Sequence, residues 1–438
     1  MCSPAFCAAR EILYTQRVGF PTVHQAHYTP FTQAYPQVSF KTDDAWHDST
    51  DALIKSLNGA NPRFDLFGMD NYLDFRQVFD AGLCADLSGS AVIRQAVDRM
   101  WPSIQAQVKQ GGIIYGVPES ILLSTFGWCE DAWQAAGLGN TAPPASYVEL
   151  LDFLEMWVTR IQKAPEPGIR VNSMFDVSLY NKRSYVKNLL PVLMDFYTLP
   201  ALREGRRVQF DALEFRTLLE RTVNIGEALY AAEPQASEGD LQLFENGLEG
   251  FGIIASKDGY SHAMPLRIRA DQPVLYKASL TILCVGADCG QAAISTAYLE
   301  HMISHLQPYA ATYAYIDSLP LMRENLAQDT ADQKKRMDMT ASQLKQGDLS
   351  KVRRQELEAQ LRRQSQVLES MQTEGWKYLI SPEWLCEYKS IAADLFFPWS
   401  SPLVMFSSHC RAMRELVRAF SEEKTSADQF ITALDALD

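Results

Sequence analysis

Residues 111–133, GGIIYGVPESILLSTFGWCEDAW, carry a strand interrupted in mid-course. A glycine pair leads a short β-rich run into Pro118-Glu119-Ser120, and a second apolar run closes on Trp128, Cys129, Glu130 and Asp131 before a helical pattern begins. Proline cannot donate to a strand ladder, so a run with proline inside it is not an ordinary central strand. A break carrying an acid and a hydroxyl reads as the passage of the chain from one lobe to another, and ligand clefts form preferentially between domains.

The rest of the chain has the length for two such lobes. Its 438 residues exceed one ordinary core. The formal charge of −13 argues against nucleic acid or an anionic membrane as the main partner, since both need a basic footprint. Eight cysteines, at 2, 7, 84, 129, 284, 289, 386 and 410, show no zinc-like pairing and are expected as buried free thiols. No run of 18 apolar residues spans a membrane. MCSPAFCAA has neither the basic start nor the apolar stretch of a signal peptide, so the expectation is either a cytosolic protein or one whose targeting segment precedes the numbering.

Between residues 10 and 68 the pattern is strand, helix, strand, helix, strand. Ile12-Leu13-Tyr14, Val38-Ser39-Phe40 and Phe64-Asp65-Leu66-Phe67-Gly68 are the strands, and 48–58 is a helix ending near Asn58-Gly59. This rhythm favours a mainly parallel sheet covered by helices. Ligands meet such sheets beyond the carboxyl ends of the strands, where Asp70, Asn71 and Tyr72 stand. Further on, 147–159 is an amphipathic helix, 180–250 is mostly helical, 251–255 and 274–285 are strands, and 290–306 is a helix. Residues 326–372 are polar and charge-dense, with a 3–4 spacing at 330, 334, 337, 341 and 344 and again at 357, 361, 368 and 371. They predict an antiparallel helical hairpin, either a structural insertion or a partner-docking element.

Candidate site residues follow from these placements. Asp70 and Glu119 are two carboxylates that could face each other across a cleft, as acceptors for hydroxyls or as a hydrolytic pair. Trp46, Tyr72, Tyr115, Phe251, Tyr260 and Trp399 fall in or beside expected loops at lobe edges, and Phe20 follows the first strand. His24 with His27 and His301 with His305 share helix faces, but each pair lacks a third ligand, so no metal is expected. No glycine-rich phosphate loop and no nucleophile elbow is present, and no cofactor is expected.

The order of these motifs resembles the extracellular solute-binding proteins of ABC importers, in the cluster that includes maltose-binding protein. The residues that carry it are Phe31 with Tyr35-Pro36, Phe64-Asp65-Leu66-Phe67, Gly82-Leu83 with Asp86-Leu87, and Gly112-Ile113-Ile114-Tyr115-Gly116-Val117-Pro118. Trp128-Cys129-Glu130-Asp131, the 144–153 helix start, Phe244-Glu245-Asn246-Gly247 and Ser426-Ala427-Asp428-Gln429-Phe430-Ile431 continue it. The family's usual Asn is Cys129 here, Arg63 precedes Phe64 where Pro is usual, and Ala5-Phe6-Cys7 is not a lipobox.

The resemblance implies a two-lobed periplasmic-binding-protein-like (type II) α/β fold with the hairpin as an insertion. Residues 1–115 plus 265–318 would form the N-terminal lobe. Residues 120–260 plus 322–438 would form the C-terminal lobe, with the hairpin 326–372 inside it. Crossovers are expected at 115–122, 260–266 and 316–322. It also implies a monomer outside the cytoplasm, lipid-anchored or periplasmic, that captures a small solute by hinge closure and delivers it to permease subunits. Arg17, Asp70, Glu119 and Trp399 occupy places where the family contacts ligand, with Ser120 beside them, and Trp128 falls at a packing position. An oligosaccharide is the expected solute. A carbohydrate-active hydrolase using Asp70 and Glu119, or a binder of a cation such as a polyamine, is the alternative.

Overall fold

Three short segments build the first sheet: β1 (Arg10–Thr15) and β2 (Val38–Asp43), rich in β-branched and aromatic residues, and the apolar β3 (Leu66–Met69). The structure, a computed structural model, describes residues 10–15, 29–43, 49–59, 64–70, 73–123, 126–163, 169–170, 182–232, 241–245, 261–345, 351–372, 377–398, 403–404 and 411–437. β1 pairs in parallel with both β2 and β3, as the alternation with helices requires. The helix Thr50–Gly59 connects β2 to β3 and turns Leu53 and Leu57 inward, four residues apart on one face. All four residues of β3 are buried, as expected for a strand covered on both faces.

The sheet is completed by β4 (Val117–Leu123), β5 (Tyr276–Val285) and β6 (Leu395–Phe396), in the order β6-β5-β3-β1-β2, with β4 also pairing with β5 opposite β3. β5 runs antiparallel to β3 and β4 and parallel to β6. The expectation of a mainly parallel sheet therefore holds for β1 to β3, and β5 is the departure.

Buried apolar side chains fall into two clusters. The first gathers Ile12 through Leu123, Ala278 through Ala314, and Ile380 through Phe397. The second gathers Phe126 through Leu275 and Leu403 through Leu434. Its helices, among them Tyr147–Lys163, Ser184–Arg203 and Leu213–Ala232, pack over a small sheet of Phe244–Glu245, Gly127–Cys129 and Ser261–Ala263. The chain passes between clusters at three places: after Leu123, between Leu275 and Ala278, and between Phe397 and Leu403.

The first passage lies next to the expected 115–122. The other two differ from 260–266 and 316–322, for physical reasons. Met264, Leu266 and Ile268 are all buried in the second cluster, so the chain stays there until β5. The 316–322 segment is fastened to the first: the Ile316 amide donates to the Arg99 carbonyl (3.0 Å), Arg99 pairs with Asp317 (2.9 Å), and Lys389 donates to the Ser318 carbonyl (2.7 Å).

The hairpin consequently sits on the first cluster rather than in the C-terminal lobe. Its arms, Leu326–Leu344 and Lys351–Ser370, rise from a two-stranded base of Leu321–Met322 and Tyr378–Ile380, and Ile380 belongs to the first core. The inward positions are Leu326, Thr330, Gln333, Met337, Thr340 and Leu344 against Leu357, Leu361, Gln364, Leu368 and Met371. This is an alternating 4–3 spacing, so the seam runs through 333 and 340 rather than the expected 334 and 341. Gln333 is buried and donates to the Gln364 carbonyl at 3.0 Å, which fixes the register of the arms.

Candidate functional site

The geometry of interest lies at β5, which begins one residue after Leu275 of the second cluster and belongs to the first. On β5, β3 pairs with residues 282–285 and β6 with 276–277. Among the described residues, the strand pairing of 278–281 is with β4, which leaves a gap beyond the end of β3. β3 approaches this gap from one end and stops at Met69, opposite Ile282. One step further places Asp70 level with Thr281, at the carboxyl end of a strand. β6 pairs with the start of β5, through Leu395 and Phe396.

Asp70 is held by its turn. Its carbonyl accepts the Leu73 amide at 3.0 Å, and the Asp74 amide donates to the Thr50 hydroxyl at 2.9 Å. The Asp74 side chain then caps the helix Phe75–Asp80 by accepting the Gln77 amide. Asp70 is buried at 4% exposure despite its position at a strand end.

On the other side of β5, Ser120 lies opposite Thr281 and Pro118 opposite Ile282, so Glu119 is the extra residue of a β-bulge. Proline accounts for the bulge, because it has no amide to keep the ladder regular. Bulges re-aim side chains, and here the re-aimed group is a carboxyl. Glu119 is buried, and burial pushes its pKa up to about 7. Ser120, Ser279 and Thr281, on the same two paired strands, are all half-buried. Asp70 and Glu119 thus flank β5 on strands two spacings apart, about 10 Å between backbones. Ser279 and Thr281 were not singled out in the sequence, where β5 reads as one apolar strand; their alternation with Ala278 and Leu280 is the feature that could have found them.

Tyr115 is placed differently. Its ring stacks on Phe79 at 4.8 Å and packs against the first cluster, and its amide donates to the Val108 carbonyl. Trp128 is half-buried, stacked on the His262 ring at 4.3 Å and edge-on to Trp133, the packing role expected of it. Arg17, Phe20, Trp46, Asn71, Tyr72, Phe251, Tyr260 and Trp399 lie outside the described residues, as do His24 and His27. Cys84, Cys129 and Cys284 are buried thiols, whereas Cys289 is half-buried and Cys386 exposed.

His301 and His305 stack at 4.3 Å, and His305 Nδ1 lies 2.8 Å from the His301 carbonyl. Among the described residues no group of three or more His, Cys, Asp and Glu side chains could hold a metal, and no helix is long and apolar enough to cross a membrane. A separate cavity of about 340 Å³ opens between helices of the second cluster, beside Arg183, Arg216 and Phe420. Its arginines are already matched, to Glu227 and Asp428.

No protein-family model and no curated protein matches the chain. Solved structures do match it over nearly the full length. The maltose-bound MalE3 of T. maritima superposes with a TM-score of 0.54 at 14% identity, over 97% of this chain and 98% of that one. The GacH receptor of Streptomyces glaucescens, solved unliganded and with acarbose, gives 0.53 at 13%, over 97% and 96%. The galacto-N-biose/lacto-N-biose I-binding protein of the ABC transporter from Bifidobacterium longum gives 0.53 at 9%, over 98% and 96%. The chain has the two-lobed periplasmic-binding-protein-like fold of these proteins.

Proposed function

We propose that the chain is the extracytoplasmic solute-binding component of an ABC uptake transporter, acting as a monomer that captures an oligosaccharide between its lobes. The observation that carries this reading is the strand β5, which starts where the chain leaves the second core for the first, with Asp70 at the end of β3 on one side of it and Glu119 on β4 on the other. A solute bound there touches both lobes, so it favours the closed state and shifts the hinge equilibrium towards it. The closed form is the one presented to the permease subunits. The solved neighbours named for maltose, acarbose and lacto-N-biose support a carbohydrate as the solute class.

The chemistry of the cleft agrees with a sugar. Buried carboxyls accept hydrogen bonds from hydroxyls, and a carboxyl that is half protonated near neutrality also donates one. A cation such as a polyamine is the second reading, favoured by two acids and no described base in the gap. The raised pKa of Glu119 counts against it, since a neutral carboxyl offers a cation no charge. Calorimetric titration with a panel of oligosaccharides and polyamines tests both. Sugar binding that weakens at least tenfold in Asp70→Ala supports the proposal; heat from polyamines alone sinks it. The same panel run with chromogenic glycosides is expected to show no turnover, and turnover lost in Glu119→Gln would establish a hydrolase instead.

A further inference from the structure

The helical hairpin carries charge of the opposite sign to the protein that bears it. Residues 326–372 contain nine Lys and Arg and seven Asp and Glu, a net charge of +2, which leaves −15 for the remaining chain. The charge is also sorted along the arm. Asp329, Asp332 and Glu369 lie near the base, so 334–363 holds all nine cations against Asp338, Asp348, Glu356 and Glu358, a net charge of +5.

The contact between Gln333 and Gln364 puts 334–336 level with 361–363. Lys334, Lys335 and Arg336 are three consecutive cations on the first arm, and 362–363 of the second arm add two more at the same level of the chain. Lys334, Lys335, Arg336 and Lys345 are exposed, and among the described residues none of them forms an ion pair. Met339 shares the outer face of Lys335, four residues on, and is 57% exposed. The seam is closed within the hairpin, and its two arms pack mainly on each other rather than on the body. The first arm alone extends about 28 Å.

We propose that the distal half of this hairpin is a docking arm for an anionic phospholipid surface. Exposed, adjacent cations along a protruding rod match a planar and laterally uniform array of phosphates better than a shaped acidic patch on a protein. Headgroups attract clustered Lys and Arg side chains near the surface, and the attraction fades within a Debye length. The acidic base and body, repelled by the same surface, leave only the far end of the arm to engage it. The exposed methionine gives that face an apolar group for the headgroup boundary. Docking of this kind is independent of whether a solute occupies the cleft.

The experiment is co-sedimentation of the full chain with vesicles of phosphatidylglycerol and phosphatidylcholine, against phosphatidylcholine alone, at low and high salt. Binding is expected only to the anionic vesicles, and salt should reverse it. The triple substitution K334Q/K335Q/R336Q, which retains helix-forming side chains, should lower the partition constant about a hundredfold. Neutralising three exposed body cations, K55Q/K163Q/R418Q, should change it little. An unaltered far-UV spectrum confirms that the variants fold. No partition of the natural chain into anionic vesicles overturns the proposal, including the case in which the arm captures only an acidic protein. Equal losses in the two triple variants, or equal binding to neutral vesicles, also overturn it. Calorimetry with sugars on the same samples keeps the outcome separate from that of the transport reading.

Discussion

His262 Nδ1 lies 2.7 Å from Glu387 Oε2, and this contact joins the two halves of the molecule. His262 is on the strand Ser261–Ala263 of the second cluster, whereas Glu387 is on the helix Pro382–Ile391, whose Trp384, Leu385 and Tyr388 belong to the first. The other Glu387 oxygen accepts the Ala263 amide at 3.2 Å. On its far side the imidazole faces Glu130 at 3.3 Å, while Trp128 covers one ring face.

This junction should depend on pH. Burial pulls the His262 pKa down, but the hydrogen bonds and charges of Glu387 and Glu130 outweigh it and leave the value raised. A raised imidazole pKa contributes stability that is complete below the unfolded value of about 6.5 and lost as pH rises through the folded value. Glu387→Gln should therefore destabilise by about 1–2 kcal/mol in urea at mildly acidic pH and by less at alkaline pH. An equal loss at both would show that the pair acts only as a neutral hydrogen bond.

Glu119 carries the opposite sign. Its pKa near 7 means that the folded chain retains a proton that the unfolded chain has lost above about 4.5. Stability should fall between pH 4.5 and 7 from this group and level off above, by something of the order of 3 kcal/mol. Glu119→Gln should remove that slope, leaving the variant better matched to the natural protein at pH 5 than at pH 8 in chemical denaturation. Identical slopes would show that Glu119 ionises freely in its bulge.

Gly116 tests the start of the same strand. A Cβ there would lie 3.0 Å from Cys284 Sγ and 3.1 Å from the Leu283 carbonyl oxygen, so β4 and β5 approach where only glycine fits. Gly116→Ala should cost about 1–3 kcal/mol in thermal or urea unfolding. A neutral result would mean that the two strands separate there at little expense.

The hairpin should unfold on its own. Leu357 is buried at 1% in a seam otherwise rich in polar side chains. Leu357→Ala should cost about 2–4 kcal/mol, read as faster amide exchange confined to the arms, with sugar affinity unchanged. Loss of protection throughout the first cluster would contradict the hairpin's independence.

Much of this organisation is legible in the sequence because local patterning dictates it. The spacing of Leu53 and Leu57, the β-rich runs at 10–15 and 38–43, and the proline of Pro118-Glu119 each state their structure within a few residues. The passages at 275–278 and 397–403 are not legible in that way. They depend on which core accepts Met264 and Ile380, a matter of packing between residues distant in the chain. Asp70 and Glu119 stand out as isolated acids beside strands. Thr281 becomes meaningful only once the register sets it between them. His262 is equally silent, since its partners Glu130 and Glu387 are 132 and 125 residues away.

Hinge closure on a sugar is tested most directly by small-angle X-ray scattering of the full chain, alone and saturated with whichever oligosaccharide of the panel binds most tightly. A fall in the radius of gyration on saturation, absent with sugars that do not bind, is the expected result. Tight binding with an unchanged radius of gyration would contradict capture between closing lobes.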